Sequence, residues 1–240
     1  MFEHPDADVI HRHVAARYDC DVEDFTRPGV HMKVWHHADR RLMLTFHHDN
    51  SLLVETSDEL ADRVQTWLES RETQIVHFDE LTQQFAPESS RGAPTERVLY
   101  LHPDRFCPKL DTDVRRLTED DSPALTDLHR ACPMLDQRMA NINIDHPAVF
   151  GKFQGDQLIA VASFIESDFD NIADVGVLVH PDHRGQGHGQ AVVSALADHG
   201  LNTGRIVQYW RLDVNTGSAN IADRLGFSEY GRQTTFRCDV

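Results

Sequence analysis

The stretch Val175–Gln190, VGVLVHPDHRGQGHGQ, decides the fold of this chain. A valine stands at every second position from 175 to 179, which predicts a β-strand buried on at least one face. Pro181 ends that strand because it has no N–H to offer a ladder. Glycine then recurs at every second position of the RGQGHG segment. Residues at helical spacing follow: Val192, Val193, Leu196 and Gly200. The stretch therefore predicts strand, glycine-rich loop and helix, in that order.

A glycine-rich loop that opens a helix is suited to bind an anion. Several backbone N–H groups have no helical partner there, and the helix dipole adds about half a positive charge. A side chain at Gly185, Gly187 or Gly189 would hold a diphosphate away from those N–H groups. The loop therefore predicts a ligand that carries a pyrophosphate.

Two well-known phosphate loops do not fit this sequence. A Walker loop ends in Gly-Lys-Ser/Thr, and no lysine occurs between Lys152 and the C-terminus. The dinucleotide fingerprint requires a third glycine where Gln190 stands. It also requires an acidic residue about twenty positions on, where Tyr209 lies instead.

The stretch resembles the acetyl-CoA loop of the GNAT N-acetyltransferase superfamily. The family pattern is Arg/Gln-x-x-Gly-x-Gly/Ala, after a strand that ends Val-x-Pro. Val179-His180-Pro181 provides the strand end, and Arg184, Gly187 and Gly189 provide the loop. A second family motif, Asn-x-x-Ala/Ser followed by Leu-Gly-Phe, is met at Asn215, Ser218 and Leu225-Gly226-Phe227. The resemblance covers about residues 112–231, and two independent motifs in the expected order make coincidence improbable.

Local patterns in the C-terminal half follow the order of elements of the GNAT core. They predict a strand at 114–117, a helix carrying Leu125 and Leu128, a hairpin of strands 148–153 and 158–164, a strand at 205–214 and a helix from Asn215 to Gly226. The predicted fold class is α+β, with a mixed α/β sheet. A GNAT acyl-CoA N-acyltransferase fold is preceded in this prediction by a small α+β domain.

Residues 1–108 are predicted to form the small α+β domain, and residues 109–240 the GNAT domain. The best linker candidate is 87–94. The first half predicts a helix over 5–19, antiparallel strands at 30–36, 42–47 and 51–55, a helix after Ser57 and a short strand at 75–78. This domain could shape an acceptor pocket or mediate a homodimer, and the sequence leaves that choice open.

Composition narrows the class of partner. A formal net charge of −16 argues against nucleic-acid or anionic-membrane binding, because phosphate contacts require clustered cations. It suits a cationic amine substrate, although an acidic surface that aids solubility is the better explanation of the charge. The N-terminal MFEHPDADV lacks the plan of a signal peptide, and no apolar run is long enough to span a membrane. The expected location is cytoplasmic.

The resemblance also implies which residues would hold acetyl-CoA, the cosubstrate. The predicted cofactor-binding residues are Val177, Leu178, Val179, Arg184, Gly185, Gln186, Gly187, His188, Gly189, Asn215 and Ser218. In the family, two neighbouring strands splay apart and the pantetheine arm lies between them like an added strand. Backbone groups of Val177 and Val179 would pair with the pantetheine amides, and an N–H near Val177 or Leu178 would stabilise the oxyanion. Arg184 would contact phosphate, and Asn215 would bond the pantetheine or thioester end.

The catalytic residues usual in the family are replaced in this sequence. The position of the usual glutamate base holds Ala173, and the usual tyrosine acid, seven residues after Asn215, is Ala222. Asp174 is the candidate base, ahead of Asp170 and Glu166. The candidates that could replace the tyrosine as acid are Ser218, Tyr209, Tyr230 and water.

Histidines are numerous, but their spacing does not predict a metal site. The candidates were His11 and His13, His36-His37, His47-His48, and His180, His183 and His188. Histidines two apart on a helix do not share a face, and adjacent ones on a strand point to opposite sides. No metal is therefore expected.

The resemblance implies an acetyl-CoA-dependent N-acetyltransferase that works by direct transfer in a ternary complex. The acceptor would be a small-molecule or peptide amine. A non-catalytic acyl-CoA-binding regulatory module is the alternative, because both usual catalytic positions hold alanine. A nucleotide-phosphate binder unrelated to CoA is a third option.

Overall fold

A computed structural model describes residues 2–35, 41–71, 76, 78–87, 93–166 and 171–238. It confirms the predicted α+β class, with mixed sheet pairing and helices throughout the chain. None of the helices in those ranges is long and apolar enough to cross a membrane.

The chain divides into two compact units. The first unit comprises Met1–Val98, Leu212–Val214 and Glu229–Val240, and the second comprises Leu99–Arg211 and Asn215–Ser228. The chain first passes from the first unit to the second near residue 98, and its last residues belong to the first unit. The division into 1–108 and 109–240 stays a prediction about domains that fold independently.

The first unit is a small α+β module. Its elements are α1 (Ala7–Arg17), α2 (Glu23–Thr26), β1 (Gly29–Val34), β2 (Leu42–His48), β3 (Ser51–Thr56), α3 (Asp58–Glu69) and α4 (Phe78–Phe85). Three strands have residues in both units: β4 (Thr95–Leu101), β9 (Ile206–Leu212) and β10 (Phe227–Arg237). Within the unit, the later part of β10 pairs antiparallel with β2, which pairs antiparallel with β3.

One prediction for this unit was wrong. β1 runs parallel to β3, not antiparallel, because β10 occupies the other edge of β2 and β1 takes the remaining edge of β3. Of the short strand predicted at 75–78, only residues 76 and 78 are described, and Phe78 begins α4. Residues 75, 77, 36–37 and 88–92 lie outside the described residues, as does Asp170, and the side chain of Glu166 is likewise not described.

The second unit carries the predicted order of elements. They are β5 (Val114–Arg116), α5 (Ser122–Ala131), α6 (Met134–Ala140), β6 (Val149–Gln154), β7 (Gln157–Glu166), β8 (Ile172–Val179), α7 (His188–Asn202), β9 (Ile206–Leu212) and α8 (Thr216–Leu225). β5, β6, β7 and β8 pair antiparallel in sequence order, and β9 pairs parallel to β8. The sequence missed α6, since Met134, Leu135 and Met139 are exposed and no apolar face marks the helix.

Both faces of β8 are buried. Ala173 and Val175 belong to a core cluster with residues of α7 and α8, whereas Leu178 belongs to a cluster with residues of α5 and α6. Gly176 packs so closely against α6 that an added Cβ would lie 2.1 Å from the carbonyl oxygen of Ala140. This packing fixes the strand on which the candidate site is built.

Candidate functional site

β8 and β9 share only a short stretch of parallel pairing. Within the described residues, the paired positions are Ile172 with Ile206, Ala173 with Val207 and Asp174 with Gln208. On its other edge, β8 pairs with β7 as far as Val179. From Val175 onward, therefore, one edge of β8 is not paired with β9, and the two strands form a fork.

The register shows which backbone groups of β8 face the fork. His180 N–H donates to the Ile159 carbonyl at 2.9 Å, so this antiparallel pair is hydrogen-bonded. Hydrogen-bonded pairs alternate along an antiparallel ladder, so Leu178 also directs its N–H and C=O to β7. Val177 and Val179 direct theirs to the opposite side. They are the two residues whose backbone the sequence assigned to pantetheine.

The loop after β8 has the backbone shape that glycine permits. Gly185 and Gly187 have φ of +73° and +83°, in the left-handed region. Gly187 is the N-cap residue of α7, and the first helical bond runs from Ala191 N–H to its carbonyl at 3.2 Å. The preceding N–H groups have no helical acceptor, no side chain caps them and the first turn has no acidic residue. Gln186 donates from Nε2 to the Asp182 carbonyl at 3.3 Å, which ties the loop to its own start.

Helix packing also requires a glycine at position 189. It is buried, and an added Cβ would lie 3.0 Å from Ile221 Cδ1 and 3.2 Å from Val179 Cγ2. The absence of a side chain lets the first turn of α7 lie against both β8 and α8. Gly189 therefore serves helix packing, which places the bare N–H groups near the end of β8.

Lys109 lies over this loop, and the sequence did not identify it. Its Nζ donates to the Gly187 carbonyl at 2.9 Å, and its backbone N–H donates to Ser194 Oγ at 2.7 Å. No local pattern could have marked it, because its partners are far along the chain.

Several cationic groups lie near His188 at the start of α7. Burial lowers the pKa of His188, Lys152, His183 and Lys109 act in the same direction, and Asp111 opposes them. An anion bound at the start of α7 would reverse that effect. The charge near the loop therefore suits a phosphate-bearing ligand.

Arg184 is held by the protein itself. Its Nε donates to the Val179 carbonyl at 3.2 Å, and its guanidinium pairs with Asp136 of α6 at 2.7 Å. The phosphate contact implied by the resemblance stays a prediction.

The three histidines near the loop lie in a row. Ring centroids are 5.3 Å apart for His180 and His183, and 6.2 Å apart for His183 and His188. Within the described ranges, no three His, Cys, Asp or Glu side chains are grouped so that they could hold a metal ion.

The fork brings the two candidate catalytic residues to a common neighbour, Tyr209 of β9. Burial raises the pKa of Tyr209 to about 12, Asp174 acts in the same direction, and Ser218 opposes it by favouring the phenolate. Asp174 lies at the last position at which β8 pairs with β9, and Ser218 lies in the first turn of α8. Ala173 and Ala222 are buried in the core and offer no proton-transfer group.

Asn215 caps α8. Its Oδ1 accepts the backbone N–H of Ser218 at 3.0 Å, so the side-chain oxygen is used by the helix. The amide NH₂ has two donors and is the half of the side chain that could bond a ligand carbonyl.

Comparisons with known proteins point to the family that the sequence motifs resemble. Residues 114–227, just under half of the chain, match the model of the acetyltransferase (GNAT) family. A GNAT-family acetyltransferase from Colwellia psychrerythraea is similar at a TM-score of 0.55 and 16% sequence identity, over 79% of this chain and 77% of that one. At such identity, the similarity shows the fold alone. No curated protein matches the sequence.

Two further solved structures are more distant in shape. A GNAT-family protein from Novosphingobium aromaticivorans has a TM-score of 0.47 and 20% identity, over 62% of this chain and 66% of that one, just under two thirds of its length. The yncA protein from Salmonella typhimurium, solved with acetyl-CoA, has a TM-score of 0.39 and 18% identity, over 52% of this chain and 92% of that one. On the family match, supported by the two sequence motifs and the order of elements, the chain carries a GNAT acetyltransferase domain at residues 114–227.

Proposed function

We propose that this chain is an acetyl-CoA-dependent N-acetyltransferase that transfers the acetyl group directly to a primary amine in a ternary complex. The observation that carries the proposal is the continuity of the site. The edge of β8 that is unpaired with β9 in the described residues leads directly into a glycine loop and the uncapped start of α7. An extended ligand with a diphosphate at one end matches that arrangement.

The two ends of acetyl-CoA would be bound by different groups. The diphosphate would accept hydrogen bonds from the N–H groups at the start of α7, with Lys109 supplying positive charge. The pantetheine arm would pair with the backbone of Val177 and Val179 as an added strand. The NH₂ group of Asn215 would donate to a carbonyl near the thioester.

The reaction needs an N–H for the oxyanion and a base for the amine. Because Leu178 directs its N–H to β7, we assign the oxyanion contact to Val177, where one such donor is typically worth about 3 kcal/mol. Asp174 stands at the fork and would take the proton from the attacking amine. The acceptor would be a small-molecule or peptide amine, which the net charge of −16 would attract if it is cationic.

The alternative is a non-catalytic acyl-CoA-binding regulatory module, which Ala173 and Ala222 favour because neither can move a proton. A thiol-release assay with acetyl-CoA and a panel of primary amines separates the two. Turnover with at least one amine supports the enzyme. Tight binding of acetyl-CoA by calorimetry, with no turnover on any amine, would support the regulatory module instead.

A further inference from the structure

We propose that Tyr209 of β9 is the general acid that protonates the leaving thiolate of CoA. This inference rests on the proposed function and adds to it the residue that completes the transfer. It concerns a position outside both family motifs, since Tyr209 precedes Asn215 on the neighbouring strand.

Breaking the thioester leaves a thiolate that must gain a proton. The resemblance places the usual acid at position 222, where this chain has an alanine that is 0% exposed. A methyl group buried in the core can neither donate a proton nor admit water to do so. Any acid that serves the thiolate must therefore come from another element.

Tyr209 is one residue past the last position at which β9 pairs with β8, Gln208 with Asp174. Its ring belongs to the same buried cluster as Ala222 and lies 5.6 Å from the ring of Phe227, between centroids. The phenol is therefore held by packing at the point where the strands part. That is the point at which a thioester lying between the strands would end.

The Tyr209 hydroxyl is buried and has no partner at hydrogen-bond geometry among the described residues. Leaving a buried polar group without a hydrogen-bond partner is unfavourable, so such a group in a core calls for an explanation. Ser218 is near enough to favour the phenolate without meeting that geometry. A hydroxyl that donates to the sulfur of a bound thioester would be satisfied only in the complex.

The surroundings keep this phenol protonated in the free protein. Burial raises the pKa of Tyr209 to about 12, with Asp174 acting in the same direction. At neutral pH the hydroxyl thus holds the proton that an acid must supply. Ser218, which favours the phenolate, would stabilise the state left after the transfer.

The protons balance in this scheme. The amine lone pair forms the C–N bond, and the proton lost from nitrogen passes to Asp174. The C–S bond breaks with its electron pair on sulfur, which takes the proton of Tyr209 to give the CoA thiol and a phenolate. The proton on Asp174 then passes to the phenolate, through Ser218 or water, and both groups return to their starting forms.

The first test is Tyr209→Phe, measured on the amine that wild-type protein acetylates fastest in the thiol-release panel. We expect kcat to fall about ten- to a hundredfold. A loss near the lower end of the rate contribution typical of general acids is expected because a thiol is a good leaving group. The Kd of acetyl-CoA by calorimetry should change less than about threefold. Tyr18→Phe is the control: it removes another buried phenol hydroxyl, which donates to Gln233, and should lower the Tm without changing kcat.

The second test separates proton donation from packing. A fluorinated tyrosine placed at position 209 keeps the ring but lowers the phenol pKa, so the alkaline limb of the kcat profile should move to lower pH. A tyrosine needed only for packing would leave that limb unchanged. Unchanged kcat in Tyr209→Phe, or an unmoved alkaline limb, would overturn the role of Tyr209 and leave the enzyme assignment intact. Wild-type protein that acetylates no amine would overturn both.

Discussion

Gly187→Asp should nearly abolish acetyl-CoA binding while leaving the chain folded. Gly187 has φ of +83°, a region that aspartate tolerates better than most residues. An added Cβ would lie 2.6 Å from Lys109 Nζ, so the new carboxylate would engage the lysine that serves the loop. Its charge would also lie roughly 5 Å from a bound diphosphate, which costs about 3 kcal/mol per unit charge at an effective dielectric of about 20. That is at least about a hundredfold in Kd.

Isothermal titration calorimetry with acetyl-CoA measures this loss, and circular dichroism with thermal melting checks the fold. Gly204→Asp is the matched control, since Gly204 has φ of +72° and open space around its Cβ position. It lies beyond the far end of α7, roughly 20 Å away at about 1.5 Å of rise per residue. The control should bind acetyl-CoA like wild type. Wild-type affinity in Gly187→Asp, or an equal loss in Gly204→Asp, would refute binding of the diphosphate by this loop.

Three other outcomes follow from the same geometry. Lys109→Met keeps the aliphatic stem but removes the charge, so acetyl-CoA affinity should fall about tenfold by calorimetry, with unchanged affinity as the contrary result. The surroundings of His188 lower its pKa, and a bound diphosphate should raise it again, so that binding takes up a proton and tightens as pH falls from about 7 to 6. Calorimetry in two buffers of different ionisation enthalpy measures this proton uptake, and equal heats of binding in the two buffers would contradict it. Gly226→Ala forces a Cβ to within 2.0 Å of the Arg105 carbonyl oxygen at φ of +92°, so urea unfolding should show a loss above about 2 kcal/mol. Gly155→Ala has φ of +58° in open space and should lose only about 1 kcal/mol, so equal losses would refute the clash.

Local signals explain most of what could be predicted. Alternating valines predicted β8, Pro181 its end, and the glycines the turn into α7, because each is a property of neighbouring residues. The same reasoning placed Gly226 in the left-handed region at the end of α8. It failed at β1, whose parallel partner depends on which sheet edge remains open, and at α6, whose apolar residues are exposed.

Local sequence signals identified only some of the residues at the candidate site. The sequence named Asp174 as the candidate base and Tyr209 as one of several candidate acids, but it could not show that Tyr209 lies near both Asp174 and Ser218. Lys109 reaches Gly187 across 78 positions of the chain. Arg184 was expected at a phosphate, yet Asp136 of α6, the helix that the sequence missed, holds its guanidinium.

The sequence by itself determined a strand, a glycine loop and a helix that together present bare amide hydrogens, since backbone conformation there depends on glycine and proline at known positions. Only the tertiary structure decided that β8 and β9 part after Asp174, that Val177 and not Leu178 turns its N–H to the fork, and that Tyr209 stands beside it. The physical reason is that strand pairing, register and long-range side-chain contacts are set by the packing of the whole sheet against its helices.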